Sequence, residues 1–167
     1  MSRPVLHLIS QAHLDPVWLW PWRDGCAEIL TTMQSALDRM NETPSLTFTR
    51  ASAVTYRWAK ELDPRLFEGI RRRVEEGRWE VTGGWIVQPD CNIPSAESFA
   101  RHALYGKRWF RENLGVDVRI GYNVDSFGHG AGLPQLLARG GYTHYVFMRP
   151  QDTDRETPLP ILFWWEA

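Results

Sequence analysis

The sequence predicts an α/β fold in which parallel strands alternate with helices, in a sheet either open or closed into a barrel. Two observations carry that expectation. Short β-rich runs alternate with stretches of helical periodicity from one end of the chain to the other. Helix-capping residues stand between them, and there is no internal repeat or low-complexity tract.

In order, Val5–Ala12 reads as the first strand. Residues 27–40 place Ile29, Leu30, Met33, Leu37 and Met40 at helical spacing. Leu46–Arg50 is the second strand, followed by a helix over Ala53–Leu62. Asp63 then caps a helix with Pro64 at its first position, and that helix stops at Gly77. Arg78–Val87 is the third strand. Ser95 caps a long helix to about Leu114, closed by Gly115. Val118–Val124, a helix over Leu133–Arg139, Tyr142–Met148 and a sixth strand-like run, Leu162–Trp165, complete the pattern. In parallel α/β folds, function gathers at the carboxyl ends of strands.

Composition narrows the function classes. The 167 residues are 43% hydrophobic and 23% charged, which excludes wholesale disorder. A net charge of −1 lacks the basic footprint of a nucleic-acid binder. The longest apolar runs fall well short of a membrane span. Cys26 and Cys91 read as small buried hydrophobes of a reducing compartment, with a single disulfide as the alternative. Val5–Ile9 is too short for a signal sequence and is broken by His7, so the expected location is cytoplasmic. Nine Trp suit either a sugar-binding face or a Trp-rich core.

Chemistry-bearing residues stand where strands should stop. His13 and Asp15 end the first strand before Pro16, and residues two apart on an extended chain share a side. Imidazole and carboxylate together suit a divalent metal, zinc above all. On that spacing alone, a histidine hydrogen-bonded to its neighbour is the plainer reading. Asp125 leaves the fourth strand, where a carboxylate can bind metal, act as nucleophile or cap a turn. Arg149 leaves the fifth and can pair with a carboxylate at a neighbouring strand end. Together, these strand ends make a more specific signal than any one of them.

Other features fall to plainer explanations. Gly128-His129-Gly130-Ala131-Gly132 follows a strand, but the third glycine of GxGxxG would fall on Leu133, so it is no dinucleotide loop. Arg71, Arg72 and Arg73 lie near Glu75 and Glu76 and read as a solvated face. Ser10 and Ser126 lack the context of a hydrolase nucleophile. His7 reads as a core histidine inside the first strand.

Taken together, several stretches resemble the retaining α-mannosidases of glycoside hydrolase family 38. They are His13-Leu14-Asp15-Pro16-Val17-Trp18-Leu19-Trp20-Pro21, Gly77–Trp85, Asp90–Ser98, Asp125-Ser126-Phe127-Gly128-His129 with Leu133-Pro134-Gln135, and Phe163-Trp164-Trp165. The resemblance implies a seven-stranded β/α barrel, of which this chain would hold the N-terminal five or six strands. It implies that His13, Asp15 and Asp125 are zinc ligands, Asp125 being also the nucleophile, and that Trp18, Phe127 and Arg149 surround the sugar. The implied substrate is a mannose-containing oligosaccharide or a small mannoside. A homo-oligomer stays open.

The family's fourth zinc ligand and its acid/base Asp have no counterpart after Asp125 in this chain. Asp152 and Asp154 come too soon, and His129 and His144 stand outside the family's His-Asp motif. Both missing groups are therefore expected beyond Ala167, and the isolated chain is expected to be an inactive part of a larger catalytic domain. Two other readings stand beside this one. A metal-dependent polysaccharide deacetylase would need an HxxxH pair, which the sequence lacks. A non-catalytic carbohydrate-binding module would bind sugar without metal or Asp125.

Overall fold

The computed structural model describes residues 5–149 and 160–166. Asp152 and Asp154 lie outside the described residues. The chain divides into two compact units, Met1–Arg50 with Arg57–Glu80, and Ala51–Tyr56 with Val81–Ala167. Among the described residues, five helices and five short strands alternate as expected, with parallel pairing in each of two sheets. None of the described helices is long and apolar enough to cross a membrane.

In the first unit, β1 (Ser10–Gln11) pairs in parallel with β2 (Phe48–Arg50), Ser10 opposite Phe48 and Gln11 opposite Thr49. On the other side of β2 lies β3 (Trp79–Val81), entered by a bond from Phe48 N–H to Arg78 C=O at 2.9 Å. Phe48 and Trp79 pack ring against ring, 4.7 Å between centroids. Helix α1 (Trp22–Glu42) buries Ile29, Met33, Leu37 and Met40 of the expected stripe together with Cys26, and leaves Leu30 half-buried. It starts five residues before Ala27 because the extended Pro21 can lead directly into a first turn.

Helix α2 (Ala53–Leu62) is followed by α3 (Pro64–Glu75), whose N-terminus Asp63 caps by accepting from Leu66 N–H at 3.0 Å. Helices α1 and α3 approach so closely that a Cβ on Gly69 would lie 2.7 Å from Leu37 Cδ1. The arginines of α3 form the expected solvated face: Arg71 pairs with Glu68 and Glu75, and Arg73 with Glu76.

In the second unit, β4 (Ile120–Asn123) and β5 (His144–Phe147) pair in parallel, Ile120 opposite His144 through to Asn123 opposite Phe147. The chain leaving β3 joins β4 through Gly83 N–H to Ile120 C=O, 2.8 Å. Helix α4 (Ala96–Leu114) is capped by Ser95 and closed by Gly115 at φ +70°, as its sequence required. With α5 (Leu133–Arg139) it encloses a core of Trp85, Cys91, Phe99, Ala103, Leu133, Leu137 and Tyr142. Both cysteines are buried and free.

Three expectations need correction. The first strand is two residues long, and Val5–Ile9, with His7, lies exposed outside it. Its pairing stops because the partner strand β2 covers only Phe48–Arg50. The third strand ends at Val81 instead of Val87 because Gly83 (φ +79°) and Gly84 (φ +67°) turn the chain out of the extended region. Leu162–Trp165 is no strand. Instead of pairing by backbone, Phe163 packs its ring on Phe147, and Trp165 packs on Tyr145 and His129.

Candidate active site

The first unit carries the His-Asp pair at the exit of β1. Arg50, 4% exposed at the end of β2, donates from Nη1 to Ala12 C=O and so fixes the backbone just before His13. Two residues on, Trp20 Nε1 donates to Asp15 C=O at 3.2 Å. Between these two anchors, His13 Nε2 and Asp15 Oδ1 lie 3.4 Å apart on half-buried side chains. Metal bonds of about 2.0–2.1 Å in tetrahedral geometry put neighbouring donor atoms roughly 3.3–3.4 Å apart. The spacing and the donor types therefore fit two cis ligands of one zinc-sized ion. Trp18 follows, 64% exposed, its ring edge-on to Trp20 at 5.2 Å. Its free face is available to a flat apolar partner such as the face of a sugar ring.

The second unit carries Asp125, just beyond β4. It is held between two buried polar residues, Asn123 and Ser126, 0% and 2% exposed. Asn123 Oδ1 accepts from Trp85 Nε1 at 2.8 Å, and its Nδ2 donates to Pro89 C=O at 3.0 Å. Ser126 Oγ donates to the same carbonyl at 3.1 Å, and Val124 N–H donates to Gln88 Oε1 at 3.2 Å. Buried polar groups that are fully partnered in this way resist movement. The turn bearing Asp125 is thus pinned on both sides, while its carboxylate stays partly open to solvent.

Arg149, beyond β5, donates from Nε to Asp125 Oδ1, with the same guanidinium 4.8 Å from the ring centre of Phe127. Phe127 is 72% exposed and offers its other face outward. Behind Arg149, His129 Nε2 lies 2.6 Å from its carbonyl oxygen, and His129 Nδ1 lies 2.9 Å from Tyr145 Oη. Tyr145 is also 3.4 Å from Cys91 Sγ. Burial above all, and then the bond with Cys91, pushes the Tyr145 phenol far up, so it stays a neutral O–H.

The residues expected to serve one site are therefore gathered as His13, Asp15 and Trp18 in one unit and Asp125, Phe127 and Arg149 in the other. His13 and Asp15 in the first unit and Asp125 in the second offer an imidazole and carboxylates, donor types that suit a metal ion. Asn123, Trp85, Gln88, Tyr145 and His129 escaped sequence reasoning. Asn123 was the findable one, since a polar residue inside an apolar strand needs buried partners.

Comparison with known proteins identifies the family. Residues 3–167 match the family described as glycosyl hydrolases family 38, N-terminal domain. Over 83% of its length, the chain is 35% identical to alpha-mannosidase G of Dictyostelium discoideum and 30% identical to an alpha-mannosidase of Saccharomyces cerevisiae. It spans 13% of each of those relatives. Its fold superposes on an alpha-mannosidase from Enterococcus faecalis with a TM-score of 0.76 at 22% identity, covering 83% of this chain and 16% of that one. The α/β fold with its strand-end acidic and imidazole groups, and the family match along nearly the whole chain, lead to one conclusion: this chain belongs to glycosyl hydrolase family 38, in the part matched by the family's N-terminal domain.

Proposed function

We propose that the protein is a zinc-dependent retaining α-mannosidase that hydrolyses terminal α-mannosidic bonds of an oligosaccharide or small mannoside in the cytoplasm. In this reading the chain is the N-terminal portion of the catalytic domain, contributing the first five strands of a seven-stranded β/α barrel. The observation that carries the proposal is the Asp125–Arg149 pair, a partly open carboxylate on a rigidly held turn with a guanidinium on one oxygen.

The chemistry assigns each residue a task. Asp125 Oδ2, opposite the oxygen that Arg149 engages, attacks the anomeric carbon as the glycosidic C–O bond breaks. The bond's electron pair leaves on the aglycone oxygen, which is protonated by a second carboxyl roughly 5–5.5 Å away. In this reading that second carboxyl comes from a part of the protein beyond Ala167. Water then cleaves the mannosyl–Asp125 ester, and two inversions give net retention. Trp18 and Phe127 offer apolar ring faces to the sugar. His13, Asp15 and Asp125 would hold the ion, which when bound supplies a Lewis-acid contact to sugar hydroxyls and favours ring distortion toward the oxocarbenium-like transition state.

The test is Asp125→Asn in the intact protein, assayed on an aryl α-mannoside with NMR of the first-formed sugar anomer. Activity should fall by on the order of a thousandfold or more, the size expected for removal of a reacting group. The wild type should release the α anomer first. An active Asp125→Asn variant, or initial release of the β anomer, overturns the assignment.

A further inference from the structure

The Gly128-His129-Gly130 segment failed as a nucleotide loop, yet its geometry is closely specified. A Cβ on Gly128, at φ +139°, would lie 2.4 Å from Asn92 Nδ2. Gly130 N–H donates to Cys91 C=O at 3.2 Å. The two glycines let the loop lie directly on residues 91–92 and present His129 between them. The imidazole then sits among aromatic rings, 4.7 Å from Phe147, 5.5 Å from Tyr145 and 6.2 Å from Trp165.

We propose that His129 is a positioning residue for the nucleophile: it ties down the exit of β5 through the Arg149 carbonyl, and so aims the Arg149 guanidinium at Asp125. The proposal rests on the reading of Asp125 as nucleophile. Its direction follows from donor and acceptor chemistry. A carbonyl oxygen can only accept, so His129 Nε2 carries the hydrogen toward Arg149 at 2.6 Å. Nδ1 is left to accept from the Tyr145 hydroxyl at 2.9 Å. The tyrosine oxygen can then accept from the Cys91 thiol at 3.4 Å, whose sulfur in turn accepts from Asn123 Nδ2 at 3.2 Å. The chain of bonds therefore begins at Asn123, two residues before Asp125, and ends on Asp125 itself through Arg149.

The ladder explains why such a tie is needed. The last registered pair is Asn123 with Phe147, so Arg149 lies past the end of strand pairing. Its carbonyl is engaged by His129 where ladder bonds have stopped. Without that bond the exit of β5 is free to shift, and the guanidinium shifts with it.

The experiment compares His129→Phe, His129→Gln, Tyr145→Phe and Asp125→Asn in the intact protein, measuring melting temperature, kcat and KM on an aryl α-mannoside. His129→Phe should lower kcat by about a hundredfold, the scale of an ångström-sized misplacement, with KM little changed. His129→Gln, whose amide can donate near the Nε2 position, should recover most of that loss. Tyr145→Phe, which keeps the ring and deletes the hydroxyl, should lower kcat by about fivefold, one neutral hydrogen bond's worth. It decides the matter if His129→Phe does not fold. Wild-type kcat in a folded His129→Phe, or equal losses in the Phe and Gln variants, overturns the positioning role while an inactive Asp125→Asn leaves the nucleophile reading standing. An active Asp125→Asn overturns that reading instead.

Discussion

Asp125 and Arg149 each stand two residues beyond a registered pair, Asn123 opposite Phe147, and Arg149 Nε donates to Asp125 Oδ1. The parallel register brings the exits of β4 and β5 side by side, and the two residues meet just beyond them. The register sets the neighbourhood of the ion pair, and the contact itself is made past the end of the ladder. Replacing Arg149 with Met should lower kcat about a hundredfold, the usual cost of losing one fixed electrostatic contact in a site. Arg149→Lys should recover little, because an ammonium neither stacks on Phe127 nor offers the planar Nε–H. Steady-state kinetics on an aryl α-mannoside checks both.

His13 Nε2 and Asp15 Oδ1, 3.4 Å apart, should behave as ligands to one ion. Asp15→Asn in the intact protein should weaken zinc binding at least about tenfold in an indicator titration, since it removes an anionic donor. Exhaustive chelation should abolish activity, and added zinc should restore it. Full activity after chelation would count against the metal assignment.

Gly106 lies on the buried side of α4, where a Cβ would fall 2.2 Å from Gly84 O and 2.7 Å from Trp85 C. These are backbone atoms and cannot swing aside. Gly106→Ala should therefore cost about 3 kcal/mol or more by chemical denaturation. Gly115→Ala makes a control with a different cause. Nothing lies within 4 Å, but φ is +70°, so the expected cost is only about 1–2 kcal/mol.

His102, also on α4, is half-buried with an Nδ1 that has no hydrogen-bond partner among the described residues. Burial disfavours the imidazolium and lowers its pKa from the ordinary 6.5. As pH falls past 6.5, the unfolded chain takes up the proton first, so folding loses stability on the acid side and keeps it above. His102→Leu should flatten that part of the curve. Urea denaturation at pH values on either side of 6.5 reads it directly.

Sequence alone determined the local structure wherever a local rule operates. The bounds of α2, α4 and α5 were legible because caps and periodicity are properties of neighbouring residues: Ser95 and Gly115 bracket α4, and Leu133–Pro134 opens α5. The motifs likewise pointed to one family, and the family match covers residues 3–167. The strands were legible in place but not in length. Where a strand stops depends on how far its neighbour reaches, as with β1 on β2, and on the glycine pair at 83 and 84 after β3. Tertiary structure alone decided what surrounds Asp125. The tie between Arg149 and Asp125 spans 24 residues, and that between Trp85 and Asn123 spans 38. No pattern of adjacent residues encodes such pairs, because they exist only once the parallel ladder has set its register. The nine tryptophans separate for the same reason. Trp79 and Trp85 are 1% exposed and belong to the core, whereas Trp18 stands at 64%, and only packing distinguishes them.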